Sequence, residues 1–215
     1  MGREQGKTRL GPAAPGFTTE GVLPELTRQA VDYVARSAAD ARGGKPFFLY
    51  LPLNSPHTPV APSKEWQGKS TLGHYGDFVM QTDDTLGQVL AALEREKIRN
   101  DTLIVLTSDN GCSPQADFPN LIRQGHNPSG IFRGNKADVF DGGHRVPFIV
   151  SWPAGARQGV KSDQLTCLTD IYATCAEIVG VKPVDTAGED SFSFLSALAG
   201  DTADASAKRS SIVHH

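Results

Sequence analysis

Two hydrophobic periodicities run along this chain. Between Pro24 and Ala41 the residues Leu26, Ala30, Tyr33, Val34 and Ala38 recur at helical spacing, and Gly43-Gly44 ends the pattern. A longer amphipathic helix follows a loop through Trp66, with Tyr75, Phe78, Val79, Thr82, Leu86, Val89, Leu90 and Leu93 on one face. Asp83 and Asp84 are adjacent there, so their side chains diverge and read as a solvated face or local cap. Two apolar runs are too short for helices and are bounded by turn-formers. Pro46-Phe-Phe-Leu-Tyr-Leu-Pro52 predicts one buried strand, and the run beginning at Thr102 and ending in Ser108-Asp109-Asn110-Gly111 predicts a strand buried on both faces. The order strand, helix, strand predicts a βαβ unit with a parallel pair. Val146 to Trp152 predicts a further strand, closed by Pro153. Leu165, Leu168, Ile171, Tyr172, Cys175, Ile178 and Val179 predict a helix ended by Gly180. Phe192, Phe194 and Leu195 mark a short helix or turn. Residues 1–23 read as an irregular segment ahead of one domain over 24–215. Ala199 to Ala207 reads as a surface loop, and Ile212-Val213 as the start of a strand. No metal role attaches to His214-His215.

Composition narrows the function classes. The 215 residues carry a formal net charge of −3 and are 39% hydrophobic, enough for a sizeable core and no reason to expect nucleic acid. Cys112, Cys167 and Cys175 form no close metal-type pair, and an odd number excludes a complete disulfide framework. No apolar stretch is long enough to span a bilayer, and the first residues carry no apolar signal-peptide core.

The candidate chemistry lies at the ends of the predicted strands. Ligands of open α/β sheets bind beyond the carboxyl ends of the strands. Asp109 and Asn110 sit at such an end, and Gly111 supplies the freedom to turn so that both oxygens can face one ion. His57 follows the other strand between Pro56 and Pro59, which restrict the backbone around it. Gly125 to Gly143 is a long glycine-rich loop holding His126, Arg133 and Lys136. Its glycines allow close approach to an anion that the cations would neutralise. It is not a phosphate-binding P-loop, because no Gly-Lys-Ser/Thr opens a helix after a strand.

These segments resemble the sulfatases of the alkaline phosphatase superfamily. The resemblance rests on Pro46 to Pro59 as the strand and histidine loop, Thr102 to Gly111 as the metal segment, and Arg133-Gly-Asn-Lys136 with Asp141-Gly-Gly-His-Arg145-Val-Pro as the lysine loop. Asp170-Ile-Tyr-Ala173-Thr is similar to a helix start in which the family usually has proline at the fourth place. The resemblance runs from about Gly16 onward. It implies an α/β fold, an alkaline-phosphatase-like sandwich of helices around a largely parallel central sheet, here incomplete at both ends. It also implies hydrolysis of small-molecule or carbohydrate sulfate esters, with Asp109 and Asn110 as ligands of a divalent ion, Ca²⁺ or alternatively Mg²⁺. Lys136 would hold a sulfate oxygen, His57 would contact the ester oxygen and protonate the leaving alcohol, and Arg133 and His126 would join them in binding substrate. No nucleic-acid or membrane partner is expected.

The departures from the family pattern are specific. The family makes its formylglycine nucleophile from Cys or Ser in Cys/Ser-x-Pro-Ser-Arg. Cys112-Ser-Pro114-Gln-Ala116 lacks the Ser and Arg and follows the metal segment instead of preceding it, so Cys112 is not expected to be the nucleophile. An early strand with paired aspartates, a Lys-x-His segment and the C-terminal subdomain are not found, and Asp141 stands where the family commonly has Glu. The expectation is a sulfatase fragment, inactive alone and prone to self-association through an exposed sheet edge. The alternatives are a related phosphodiesterase or phosphonate hydrolase, or a non-catalytic anion- or protein-binding remnant. The family is commonly periplasmic, secreted or lysosomal, and the compartment of this chain is left open.

Overall fold

Two long helices, α1 (Val22–Arg42) and α2 (Gly73–Arg95), pack on each other by faces that are only partly those predicted, since Val79 is exposed and Leu26 and Tyr33 are half-buried. Leu23, Ala30, Val34 and Ala38 of α1 and Phe78, Ala92 and Leu93 of α2 are buried. Leu23 and Phe78 join Val60 in a core cluster flanked by Leu53 and Tyr75. Each large side chain buried this way stabilises the fold by about 1.5–3 kcal/mol. Thr27 and Thr85 meet at 2.9 Å where the helices approach, so their buried hydroxyls keep a polar partner. The computed structural model describes residues 12–200 and 209–213. The remaining elements are β1 (Ile104–Thr107), a 3-10 turn (Pro114–Ala116), α3 (Phe118–Arg123), α4 (Asp141–His144), β2 (Phe148–Ser151), α5 (Asp170–Ile178) and α6 (Leu195–Ala199).

The described residues fall into two compact units that the chain visits alternately. One comprises the described part of Met1–Arg99 with Cys112–Ile131, the other Asn100–Gly111 with the described part of Phe132–His215. No helix among the described residues is long and apolar enough to cross a membrane.

Several expectations need correction. The predicted parallel pair is absent among the described residues: β1 pairs with β2, and the ladder is antiparallel, with Ile104 opposite Ser151 and Thr107 opposite Phe148. With only two strands, β1 is not buried on both faces; Leu106 and Ile149 are exposed. Pro46 to Pro52 is not a strand, because its backbone has no ladder partner among the described residues. It nevertheless keeps strand-like alternation: Phe47, Leu49 and Leu51 are half-buried, while Phe48 and Tyr50 are 69% and 76% exposed. Helix α1 begins at Val22, inside the segment expected to be irregular. Pro24 lies in its first turn, where the missing N–H has no carbonyl to serve. Helix α5 begins only at Asp170, leaving Leu165 and Leu168 exposed ahead of it. Ile212 and Val213 form no strand. The predicted Ala199–Ala207 loop falls largely, and His214-His215 wholly, outside the described residues.

Buried polar groups fasten the loops. Asp77 of α2 is fully buried and accepts from Gly68 N at 2.9 Å and Ser70 N at 2.6 Å, while Gln81 Oε1 accepts from Ser63 N at 2.9 Å. In the other unit the side chains of Arg209 and Asp170 are 3% and 1% exposed. Arg209 donates to both Asp170 oxygens, Nη2 to Oδ1 at 2.7 Å and Nε to Oδ2 at 3.1 Å, and Nη2 also reaches the Asp190 carbonyl at 2.6 Å. Asp170 further accepts from Phe192 N and Cys167 N, both at 2.9 Å. Burial pushes the Asp170 carboxyl up. The Arg209 guanidinium and the two amides outweigh that and hold it below the usual carboxylate value.

Arg209→Met should therefore strand a buried carboxylate and cost about 3–5 kcal/mol, read from the urea midpoint. The depressed value means that this contribution is complete above about pH 4 and is lost as pH falls through the folded value. The gap between wild type and variant should narrow on acidification; a gap constant between pH 7 and pH 3 would refute the clamp.

Candidate active site

The turn after β1 is built from its own side chains. Asp109 Oδ1 accepts from Asn110 N at 2.9 Å, and Ser108 Oγ donates to the Asn110 carbonyl at 3.0 Å. Asn110 Nδ2 donates to the Gly111 carbonyl at 3.1 Å, which leaves the amide oxygen on the opposite side of the group. Asp109 is exposed and Asn110 half-buried. The chain can leave this turn only because residue 111 has no side chain: a Cβ there would lie 1.9 Å from the Gly142 carbonyl oxygen. In its place Gly111 N donates to Gly143 O at 2.8 Å.

That bond ties the aspartate turn to the lysine loop within one unit. Gly142 N donates to the Arg133 carbonyl at 2.8 Å, and Gly143 N to the Phe140 carbonyl at 2.8 Å. A methyl at Gly142 would meet Gly134 O at 2.1 Å, and one at Gly143 would meet Asp138 O at 2.2 Å. Lys136 sits inside a small bracket: Asn135 N donates to Asp138 Oδ2 and Asp138 N to Asn135 O, each at 2.9 Å. Ala137 between them has φ +75°, an uncommon conformation for a side chain with a Cβ. The later part of the long glycine-rich loop is thus a tied turn running into α4. Asn-x-x-Asp around the lysine was the signal for it, because Asn and Asp favour such turns through their backbone hydrogen bonds.

The cations of this loop are engaged differently. Arg133 lies with its guanidinium carbon 3.6 Å from the centre of the Phe140 ring, and Arg145 forms an ion pair with Asp141 at 2.9 Å. Lys136 is half-buried and, among the described residues, pairs with no carboxylate. Such an ammonium is suited to an incoming anion.

The two histidines belong to the other unit. His57 is exposed, between the cis bonds Ser55–Pro56 and Thr58–Pro59, and its Nδ1 lies 2.7 Å from the Thr58 carbonyl. A carbonyl only accepts, so Nδ1 carries the proton and Nε2 is left for another partner. Thr58 Oγ1 in turn donates to Gln115 Oε1 at 2.9 Å. His126 is exposed just past α3, a helix the apolar pattern did not reveal; its backbone N–H bonds to Leu121 O at 2.9 Å. Asn54 Oδ1, three residues before His57, is enclosed without a hydrogen-bond partner. Cys112 is half-buried, with its sulfur 3.0 Å from the Tyr75 hydroxyl. Burial pushes its thiol up and the Tyr75 hydroxyl only partly offsets this, the reverse of what an activated nucleophile needs.

A family profile for the sulfatases matches residues 16–181. The chain belongs to the sulfatase family. It is similar to an N-acetylgalactosamine-6-O-sulfatase of Bacteroides thetaiotaomicron, 35% identical over 184 residues, covering 84% of this chain and 35% of that protein. The rat steryl-sulfatase is 36% identical over 167 residues, 77% of this chain and 28% of that one. Among solved structures, a Bacteroides thetaiotaomicron sulfatase from a locus for the metabolism of multiple glycosaminoglycans superposes with TM-score 0.77 at 32% identity, covering 86% of this chain and 38% of that one. The Pseudoalteromonas sulfatase PsFucS1 gives TM-score 0.75 at 26% identity, covering 88% and 36%. The fold class is that of these neighbours, an alkaline-phosphatase-like α/β fold, of which the short antiparallel sheet is one part. The chain spans about a third of the length of the curated relatives it matches.

Family membership implies a divalent ion, typically Ca²⁺, and a formylglycine. Asp109 and Asn110 offer hard oxygen donors of the right kind, but Ca²⁺ takes about six to eight. Among the described residues no group of three or more His, Cys, Asp or Glu is placed to hold a metal. The donor set fits part of such a site and cannot complete it.

Gly111→Ala should cost about 1–3 kcal/mol through overpacking against the Gly142 carbonyl. Gly87→Ala, on α2 with nothing within 4 Å of the added methyl, should instead stabilise by up to about 1 kcal/mol. Equal melting temperatures for the two variants would contradict the glycine contact.

Proposed function

We propose that this chain is part of a metal-dependent sulfatase acting on sulfate esters of carbohydrates. What carries the reading is the backbone tie between the aspartate turn and the lysine loop, Gly111 N to Gly143 O at 2.8 Å, in a chain of this family. Of the relatives' names, N-acetylgalactosamine-6-O-sulfatase points to a sugar ester and steryl-sulfatase to a sterol ester, and the proposal takes the first. When bound, a hard divalent ion beside Asp109 and Asn110 would supply positive charge for the sulfuryl oxygens.

The chain's own residues then have distinct tasks. Lys136 binds a sulfate oxygen through its unpaired ammonium, and it is preorganised because the bracket formed by Asn135 and Asp138 already fixes its backbone. Arg133, stacked on Phe140, adds positive charge to the same loop, and His126 contributes a polar ring for the substrate. His57 holds its Nδ1 proton against the Thr58 carbonyl, so a proton on Nε2 is the one it can pass to the leaving alcohol oxygen. The nucleophile is assigned to none of these residues, and Cys112 lacks both the motif and the acidity for it.

The test is hydrolysis of an aryl sulfate with Ca²⁺. The 215-residue chain should give the buffer rate. A polypeptide that unites it with a formylglycine segment should turn over and lose about 10²–10³-fold in kcat with Lys136→Ala. Turnover by the chain alone, abolished by Lys136→Ala, would place the nucleophile inside it. Preference for a phosphodiester would favour the related phosphoryl-transfer reading.

The partner proposal concerns the backbone of residues 46–52, whose N–H and C=O groups have no backbone partner among the described residues and lie beside exposed Phe48 and Tyr50. Such an edge pairs readily with another chain. Light scattering should show self-association that Tyr50→Lys reduces; a monomer at all concentrations would rule this out.

A further inference from the structure

A cleft of about 280 Å³ opens between α1, α2 and the turn at residues 63–67, all within one unit and built from none of the residues assigned above to the sulfate site. Its floor is formed by Gln81 and Thr85, both buried. Trp66 contributes one wall, an indole with Lys69 Nζ held 4.3 Å from its centre. The rim carries Arg28, Glu65, Asp84 and Gln88.

The bonds already made define which partners are left over. Three of the five Arg28 N–H groups donate to carboxylates, two of them to the Glu25 oxygens at 2.6 and 2.8 Å and one to Asp32 Oδ2 at 2.7 Å, so its charge is already offset. Glu65 Oε1 accepts from Ser63 Oγ at 3.2 Å, and Asp84 Oδ2 accepts from Gln88 Nε2 at 2.7 Å. Among the described residues, Glu65 Oε2, Asp84 Oδ1 and Gln88 Oε1 then have no donor. The rim is therefore rich in free acceptors, carries uncompensated negative charge and stands beside an aromatic wall. A free anion is repelled there. A neutral molecule with several hydroxyl donors suits these acceptors, and its apolar C–H face suits the side of the indole that Lys69 leaves open, in a volume that holds one small ring.

We infer that this cleft binds a neutral, unsulfated sugar residue, separately from the sulfate itself. The inference rests on the carbohydrate reading of the substrate, but its test needs no turnover. The probe is N-acetylgalactosamine, titrated into the full 215-residue chain while the indole N–H signals of Trp66 and Trp152, the chain's two tryptophans, are followed by NMR. The Trp66 signal should shift saturably and the Trp152 signal should not. The double variant Asp84→Ala, Gln88→Ala removes both acceptors and should raise the dissociation constant about tenfold, as expected for two lost hydrogen bonds. Its melting curve reports whether it folds. The 6-sulfated sugar should bind more weakly at Trp66 than the neutral one. No saturable shift, a shift unaltered in the double variant, or tighter binding of the sulfated sugar at Trp66 would each overturn the proposal. Lys136→Ala should leave the Trp66 titration unchanged. Loss of the shift in that variant would move the sugar to the lysine loop, overturning the cleft while leaving the sulfatase reading intact.

Discussion

A carbonyl oxygen and a methyl group cannot occupy one place, and the candidate site depends on that constraint at three positions. Gly111, Gly142 and Gly143 each bring backbone to within about 2 Å of where a Cβ would stand. Each glycine loses more conformational freedom on folding than any other residue would. Here that cost is offset by contacts no other residue could make. The bond from Gly111 N to Gly143 O joins two stretches of sequence more than twenty residues apart, and the bond from Gly142 N to Arg133 O closes the second stretch on itself, so that both form one backbone scaffold. Side chains carried on such a scaffold inherit its rigidity, which a site built from long loops would otherwise lack.

The same economy of buried polar contacts recurs away from the site. Asp77 is a fully buried carboxylate that organises the loop ahead of α2 by accepting two backbone N–H groups. Asp170 plays that part for the segments at Cys167 and Phe192, and Arg209 closes it from far along the chain. A buried carboxylate is tolerable only when its lone pairs are occupied, and each of these has several donors. Where the chain has little regular structure, these clusters replace the sheet ladders that would ordinarily fix the loops.

What was legible in the sequence follows from how local the signal was. α1, α2 and the latter part of α5 were visible because an apolar stripe repeats within each. The turn at Asp109-Asn110-Gly111 was visible because its residue types form it unaided. α3 was hidden, since Phe118-Pro-Asn-Leu-Ile-Arg123 is too short to show a period. The Asp170–Arg209 pair spans 39 residues, and no local pattern announces it. Pro46 to Pro52 is the instructive failure. It was read as a buried strand from its apolar content alone, but strand pairing and burial are properties of two segments, and among the described residues no second segment pairs with it. In the lysine loop the glycines were read as room for an anion to approach, whereas Gly142 and Gly143 mark close packing of backbone on backbone.

The charges on the glycine scaffold complete the argument. Asp109 and Lys136 are a carboxylate and an ammonium on segments joined by a 2.8 Å backbone bond, yet among the described residues no ion pair links them. Left to flexible chain, opposite charges on two joined segments could find each other. Here the Asn110 and Ser108 bonds hold one end of the scaffold, and the Asn135–Asp138 bracket holds the other. Holding opposite charges apart sacrifices a stabilising contact of up to about 1 kcal/mol at an exposed site. In return each charge stays available to an external partner of opposite sign, a cation for the carboxylate and an anion for the lysine. A cation and an anion that met between them would satisfy both at once, as the divalent ion and the singly charged sulfate ester of the proposed function would.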